Sequence, residues 1–282
     1  MSGQPRPGKV LPITSHSNPR IKSIRALTQA KFRKESRQFL VEGLKLVTDA
    51  LAEGWTVRSI VLEAGALDQP AIAKAAAMAR IAGADILSVN HDILSKVTRR
   101  DNPQTVLGVI DQRIAHESSI AATAAGVVVA LHRVRDPGNL GTIIRTADAV
   151  GAGGVIIVGP SVDPFSLEAV RATMGSLFHV PVARMDEEQF LSFCSKWPGS
   201  IAGAHLKSDL DYRATRYERP TLLVMGNEQA GLSDEISDAC NFLVRIPIAG
   251  DADSLNLAVA TGVMLYEIER DSLTIPGAAG GG

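Results

Sequence analysis

Cysteine is nearly absent: Cys194 and Cys240 are the only two in 282 residues, and neither sits in a CxxC pair or at a Cys/His metal-ligand spacing. That argues against a disulfide framework and a zinc site, and no metal is expected. With no basic-apolar-small leader at the start, the expected location is a reducing cytoplasm. Long apolar runs are missing too. The longest lies in "DADSLNLAVATGVMLYEIE" (251–269), where Asn256, Thr261, Glu267 and Glu269 interrupt it well short of the ~20 residues a bilayer span needs, so no membrane association is expected. Net charge is also lacking, with 29 Lys+Arg against 30 Asp+Glu.

What is present is the composition of a packed globular protein, 45% hydrophobic and 21% charged, with length enough for two domains. The charge is unevenly placed. Residues 1–45 carry Arg6, Lys9, Arg20, Lys22, Arg25, Lys31, Arg33, Lys34, Arg37 and Lys45 against only Glu35 and Glu42. Such a basic segment in a neutral chain suits a polyanion, because neutralised phosphates release condensed counterions; a solvated helix face is the alternative reading.

Two strand-and-helix series follow one another, separated by the Ala/Ser/Thr-rich stretch "RIAHESSIAATAAG", read as a linker. The first series opens with the basic helix "NPRIKSIRALTQAKF". It continues through "FLVEG", the helix "GLKLVTDALAEG", the strand "VRSIVLE", an Ala-rich helix from Asp68 to Arg80, "ADILSVN", a short helix "HDILSKV" and "TVLGVID". In the second series "GVVVALHRV" is a continuous β-branched run of the kind found in a doubly covered parallel strand. "GGVIIVG", "FHVPVAR", "SIAGAHL", "TLLVMG" and "FLVRIPI" complete the grammar of an α/β domain with a largely parallel sheet. "TIPGAAGGG" at the C-terminus reads as a flexible tail.

Three places carry candidate chemistry. In "LHRVRDPGNLGTIIRTADAVG", Leu140, Ile143, Ile144, Ala147 and Val150 form one helical stripe and Arg145 lies off it, on the helix that follows a Gly-containing turn. "LLVMGNEQAGL" ends a strand with Gly226, Asn227 and Glu228, where a backbone can approach a ligand at the sheet's carboxyl edge. "RIPIAGDADSLNLAVA" leads to a helix apolar almost all round, with Ser254 as expected N-cap and Asn256 in the first turn. An uncompensated buried amide costs about 1–3 kcal/mol, so Asn256 needs a partner. "GAGG" at 151–154 precedes a strand instead of following one, which disfavours a nicotinamide dehydrogenase; GxSxG, Walker A and Cys/His nucleophile patterns are absent.

In this order, "NLGTIIRTADAVG", "MGNEQAGL" and "IPIAGDADSLNLAVATGVMLYE" resemble the three motifs of the SpoU (TrmH-like) family of RNA ribose 2′-O-methyltransferases in the SPOUT superfamily. The first half resembles the substrate-binding domain of such enzymes, related to ribosomal protein L30e. The resemblance implies an α/β fold: an L30e-like RNA-binding domain over 1–112, a linker at 113–125, a catalytic domain over 126–270 with a mostly parallel sheet and a deep trefoil knot, and a flexible tail at 271–282. It further implies S-adenosyl-L-methionine as cofactor, a homodimer with active sites near the subunit interface, and structured RNA as partner. A guanosine of 23S ribosomal RNA is the favoured target, with transfer RNA, or a non-catalytic role in ribosome assembly, as alternatives.

Position by position, the resemblance makes Asn139, Arg145, Glu228, Ser254 and Asn256 the catalytic set. Cofactor contacts fall at Gly226, Asn227, Ile246 and Leu255, and RNA contacts at Arg20, Lys22, Arg25, Lys31 and Arg33, extended by Arg99, Arg100 and Arg133. A guanidinium is effectively always protonated, so Arg145 is expected to fix a phosphate and stabilise the developing alkoxide, not to act as a base.

Overall fold

The structure is a computed structural model that describes residues 6–98, 101–123 and 126–275. Arg99, Arg100, the end of the expected linker at 124–125 and the tail from 276 to 282 lie outside the described residues.

In chain order the first ten elements are β1 (Val10–Ile13), α1 (Pro19–Ala26), α2 (Ala30–Ser36), β2 (Gln38–Glu42), α3 (Leu44–Ala52), β3 (Val57–Glu63), α4 (Pro70–Ile81), β4 (Asp85–Val89), α5 (His91–Thr98) and β5 (Val106–Asp111). Then come α6 (Glu117–Thr123), β6 (Val127–His132), α7 (Pro137–Ala149), β7 (Gly154–Val158), α8 (Leu167–Thr173), β8 (Val182–Met185), α9 (Glu187–Cys194), β9 (Ile201–Ala204), β10 (Thr221–Met225), α10 (Asp234–Asp238), β11 (Phe242–Val244) and α11 (Leu257–Ile268). They form two compact units.

The first unit is Met1–Arg113 together with Asp163–Phe178. Its sheet has the order β1-β4-β3-β5-β2, parallel from β1 to β3 and antiparallel from β3 through β5 to β2. β1 escapes the hydrophobic pattern because it contains Pro12; a strand lacking one N–H is tolerated at an edge, which is where it lies. The expected single basic helix breaks in two between Ala26 and Ala30. The break has a use: it frees the carbonyl of Leu27, which accepts from Arg33 Nη1 at 2.9 Å, while Arg33 Nε donates to Asp163 at 2.8 Å. The segment 163–178 also brings Phe165 and Phe178 against Phe39 and Trp55, and the Trp55 indole donates to the Phe178 carbonyl at 3.1 Å.

The second unit is Ile114–Val162 with His179–Gly282. Its six strands run β11-β9-β10-β6-β7-β8, and every neighbouring pair is parallel. All six carboxyl ends therefore meet one rim. Every residue of β6 is buried; Val128 and Ala130 share a core with Leu222, Val224, Ile156 and Phe190, while their neighbours face the other side. That explains a strand without alternation. The stretch read as a linker forms α6, and Ile120 within it is fully buried in this core. One large apolar side chain on a short helix suffices to seat it, a signal that an Ala/Ser-rich composition hides.

Candidate active site

At the rim, β6 hands over to α7 through Arg133–Asp136. Asp136 caps the helix by accepting from the Asn139 backbone at 2.6 Å, and Pro137 occupies a first-turn position where its missing N–H costs nothing. Leu140, Ile143, Ile144 and Ala147 are buried as the stripe requires.

The loop after β10 folds back on itself. Asn227 exchanges two backbone hydrogen bonds with Gly231, both 3.0 Å, and its Oδ1 accepts from Gln229 and Ala230. Its Nδ2 donates to the Arg133 carbonyl at 2.7 Å. A Cβ on Gly226 would sit 2.3 Å from the Gly231 carbonyl carbon, so glycine is demanded here by the loop's own backbone. Thus positioned, Glu228 is no solvated carboxylate: Oε1 accepts from the Asp136 backbone and Asn139 Nδ2, both 3.3 Å, and Oε2 from the Arg135 backbone at 3.4 Å.

α11 corrects the expected cap. Asn256, not Ser254, is the N-cap: it is non-helical (φ −52°, ψ 140°) and its Oδ1 accepts from Ala258 and Val259. With Oδ1 committed to the helix amides, Nδ2 faces outward and donates to Asn139 Oδ1 at 2.9 Å. Asn139 then has only its Nδ2 for Glu228. Asn256 is exposed, so the expected burial cost does not arise; its amide is still engaged twice, by its own helix terminus and by a second asparagine, in a one-way chain from α11 through Asn139 to Glu228.

These groups border a cavity of about 880 Å³ lined by Asn139, Gly226, Asn227, Glu228, Ile246, Ser254, Leu255 and Asn256 among others. Ser254 lines it from an exposed loop position. His205, Leu206 and Lys207, immediately after β9, line it as well and were missed; the signal was their place at the end of a strand of the parallel sheet. Arg145 is absent from the lining, exposed on α7, and engages no hydrogen bond or ion pair among the described residues. The sheet-rim clusters at 139, 228 and 256 converge; the guanidinium at 145 stands apart.

Of the expected RNA contacts, Lys22 and Arg25 are exposed, Arg20 is exposed but pairs with Asp85 at 2.5 Å, and Lys31 lies 4.0 Å from Glu35. Arg33 is a correction. It is 5% exposed and spends its guanidinium on Asp163 and the Leu27 carbonyl, so it is a structural residue of the first unit. Arg133 makes a two-pronged pair with Glu187, which also accepts from the Nε2 of buried His132 at 3.1 Å; the Arg133 guanidinium holds the Glu187 carboxyl below the usual range.

The cavity suits a partly apolar small ligand with charged groups. Met225, Leu232, Val244 and Ile246 give it an apolar side, and the carboxylates of Asp136, Glu228 and Asp234 along it stand against the cations Lys207 and Arg245, a mixed lining for a ligand that carries both signs of charge. Among the described residues no His, Cys, Asp and Glu gather to hold a metal, and no helix is long and apolar enough to cross a membrane.

A parallel sheet with a polar-rimmed cavity at its carboxyl edge defines an α/β protein built to bind a small ligand there. Comparison with known proteins makes this particular. The SpoU rRNA Methylase family model matches residues 126–266, and the MRM3-like substrate binding domain model matches 18–108. The 23S rRNA (guanosine(2553)-2′-O)-methyltransferase RlmP of Bacillus subtilis is 29% identical over 256 residues, covering 91% of this chain and 98% of the relative. The 23S rRNA (uridine(2479)-2′-O)-methyltransferase of Streptomyces viridochromogenes is 31% identical over 250 residues, 86% of each chain. The crystal structure of an AdoMet-bound rRNA methyltransferase from Sinorhizobium meliloti superposes with a TM-score of 0.88 at 49% identity, covering 94% of this chain and 99% of that one. The chain belongs to the SpoU rRNA methylase family. Its fold class is the expected one, an α/β unit with a parallel sheet preceded by an α/β substrate-binding domain.

Proposed function

We propose that the protein is an S-adenosyl-L-methionine-dependent RNA ribose 2′-O-methyltransferase acting on 23S ribosomal RNA, with a guanosine as the favoured target. The observation that carries this reading is the hydrogen-bonded chain Asn256–Asn139–Glu228 on the wall of a cofactor-sized cavity. The relatives named for 23S rRNA 2′-O-methylation support the substrate, and the AdoMet-bound relative supports the cofactor.

Ile246 and Leu255, with the backbone of Gly226 and Asn227, hold the cofactor, which supplies an electrophilic methyl on a sulfonium. Glu228 anchors the β6–α7 turn through the backbone amides of Arg135 and Asp136, and so sets the position of Asn139. Ser254 and Asn256 orient the ribose; a misplacement of ~1 Å costs about a hundredfold in rate. Arg145, without a partner among the described residues, grips the phosphate beside the target ribose and stabilises the alkoxide. The trefoil knot and the boundaries 1–112, 113–125 and 126–270 belong to the same reading.

A homodimer and a cytoplasmic location are part of the proposal. α11 leaves Val259 and Tyr266 about half exposed on one face, two turns apart, as an apolar strip for a second copy. The thiols of Cys194 and Cys240 are both free, in keeping with a reducing compartment.

Calorimetry with S-adenosylmethionine, followed by methyl transfer to ribosomal and transfer RNA with mapping of the 2′-O-methyl mark, tests the function. Micromolar cofactor binding and a single mark in large-subunit RNA are expected. No cofactor binding, or a mark on a base, overturns the reading.

A further inference from the structure

The first unit contains a second concavity, a groove of about 670 Å³ lined entirely by its own residues and remote in sequence from the methyl-transfer motifs. At its floor the nearly buried Leu87 and Val109 of the sheet edge the groove beside half-buried Ser59, whose hydroxyl has no hydrogen-bond partner among the described residues. One wall is α2, which exposes Phe32, 37% accessible, into the groove instead of burying it. An aromatic ring left open beside a concave apolar floor, next to a hydroxyl with no partner, has the layout of a platform for a flat heterocycle.

The charges around the groove state what that heterocycle carries. Lys22 and Arg20 border it from α1 and Arg58 from β3, and the Lys31 ammonium lies 5.9 Å from the Phe32 ring centroid. Arg20 and Arg58 are already paired, with Asp85 at 2.5 Å and Asp111 at 2.6 Å. Lys22 has no partner among the described residues and Lys31 has only Glu35 at 4.0 Å. Glu35 and Asp85 line the groove too, so its one unpaired cation among the described residues is Lys22, and a single free ammonium beside an aromatic wall matches a base attached to a phosphate. The deep, narrow major groove of A-form RNA keeps paired bases from such a platform, whereas a base in a loop or bulge can be splayed onto it.

We infer that the groove between α1, α2 and the sheet of the first unit binds one unpaired nucleotide of the RNA, its base stacked on Phe32 and its phosphate held by Lys22. This rests on the RNA-methylating function proposed above and adds a recognition site to it: the first unit reads a splayed base while the second carries out methyl transfer.

Fluorescence anisotropy with the full-length protein tests it, using a labelled single-stranded oligoadenylate ten-mer and, as comparison, a blunt RNA duplex. Phe32→Leu keeps an apolar side chain but no π-face and is expected to weaken single-strand binding about tenfold; Phe32→Trp restores it. Lys22→Gln lowers the slope of log affinity against log salt by about one. S-adenosylmethionine affinity stays unchanged in all three. If Phe32→Leu binds the single strand as the parent does, or if the duplex binds equally well with the same sensitivity to Phe32, the groove is not a nucleotide site. Loss of cofactor binding in the parent with Phe32-dependent RNA binding intact overturns the proposed function and leaves the groove standing.

Discussion

Asn256 Nδ2 donates to Asn139 Oδ1 at 2.9 Å, joining two residues 117 positions apart in the chain. One asparagine caps α11, the other stands in the first turn of α7, and these two helices pack on each other. The bond fixes the relative position of two loops that border one cavity, and it makes the helix cap part of the site.

Asn256→Asp separates the two roles. Aspartate still accepts from the Ala258 and Val259 amides but cannot donate to Asn139, so thermal stability is kept and methyl transfer falls by about a hundredfold or more. Asn256→Ala loses both and costs about 1 kcal/mol of stability in addition. Equal turnover in Asn256→Asp and the parent, measured with labelled cofactor, would remove Asn139 from the mechanism.

Arg145→Ala removes an exposed side chain with no partner among the described residues, so its melting temperature and cofactor affinity match the parent's. Turnover on RNA is lost. Substantial methyl transfer by this variant ends the assignment of Arg145 to the alkoxide and its phosphate.

Arg33→Ala leaves Asp163, half-buried, and the Leu27 carbonyl without their partner. Breaking such a pair costs about 3 kcal/mol, read as a lower urea midpoint. A surface RNA contact predicts the reverse, weaker RNA binding at unchanged stability.

Stability against pH has a defined sign at Glu187, whose carboxyl Arg133 holds below the usual glutamate range. A folded-state value beneath the unfolded one means the contribution is complete above the unfolded value, near 4.3, and lost as pH falls through the folded value. The melting-temperature gap between the parent and Glu187→Gln is therefore flat above about pH 5.5 and closes toward pH 3. A gap that stays constant down to pH 3 shows the pair contributes nothing.

The burial of every β6 residue and the stripe on α7 were legible because they depend on local pattern: a strand covered on both faces has no reason to alternate, and a helix on a sheet repeats its apolar positions every three to four residues. The loops at 226–228 and 246–256 were legible as candidates for the same reason, since each follows a strand of a parallel sheet. Roles within them were not. Whether Ser254 or Asn256 caps α11 turns on the dihedral angles of one residue, and both are good caps. Arg33 reads in sequence like Lys31 and Lys34; only the break before α2 and the return of Asp163 from far along the chain bury it.

By itself the sequence determined the class of each half, the direction of the second sheet and which loops reach its rim, because these follow from side-chain periodicity and turn chemistry over a few residues. The tertiary structure alone decided which polar atoms meet: Asn139 reaches both Glu228 and Asn256, 89 and 117 residues away, while Arg145, six residues from Asn139 on the same helix, does not line the cavity. Hydrogen bonds are satisfied over a few ångströms of space, and that distance is set by strand register and helix packing, which no local pattern encodes.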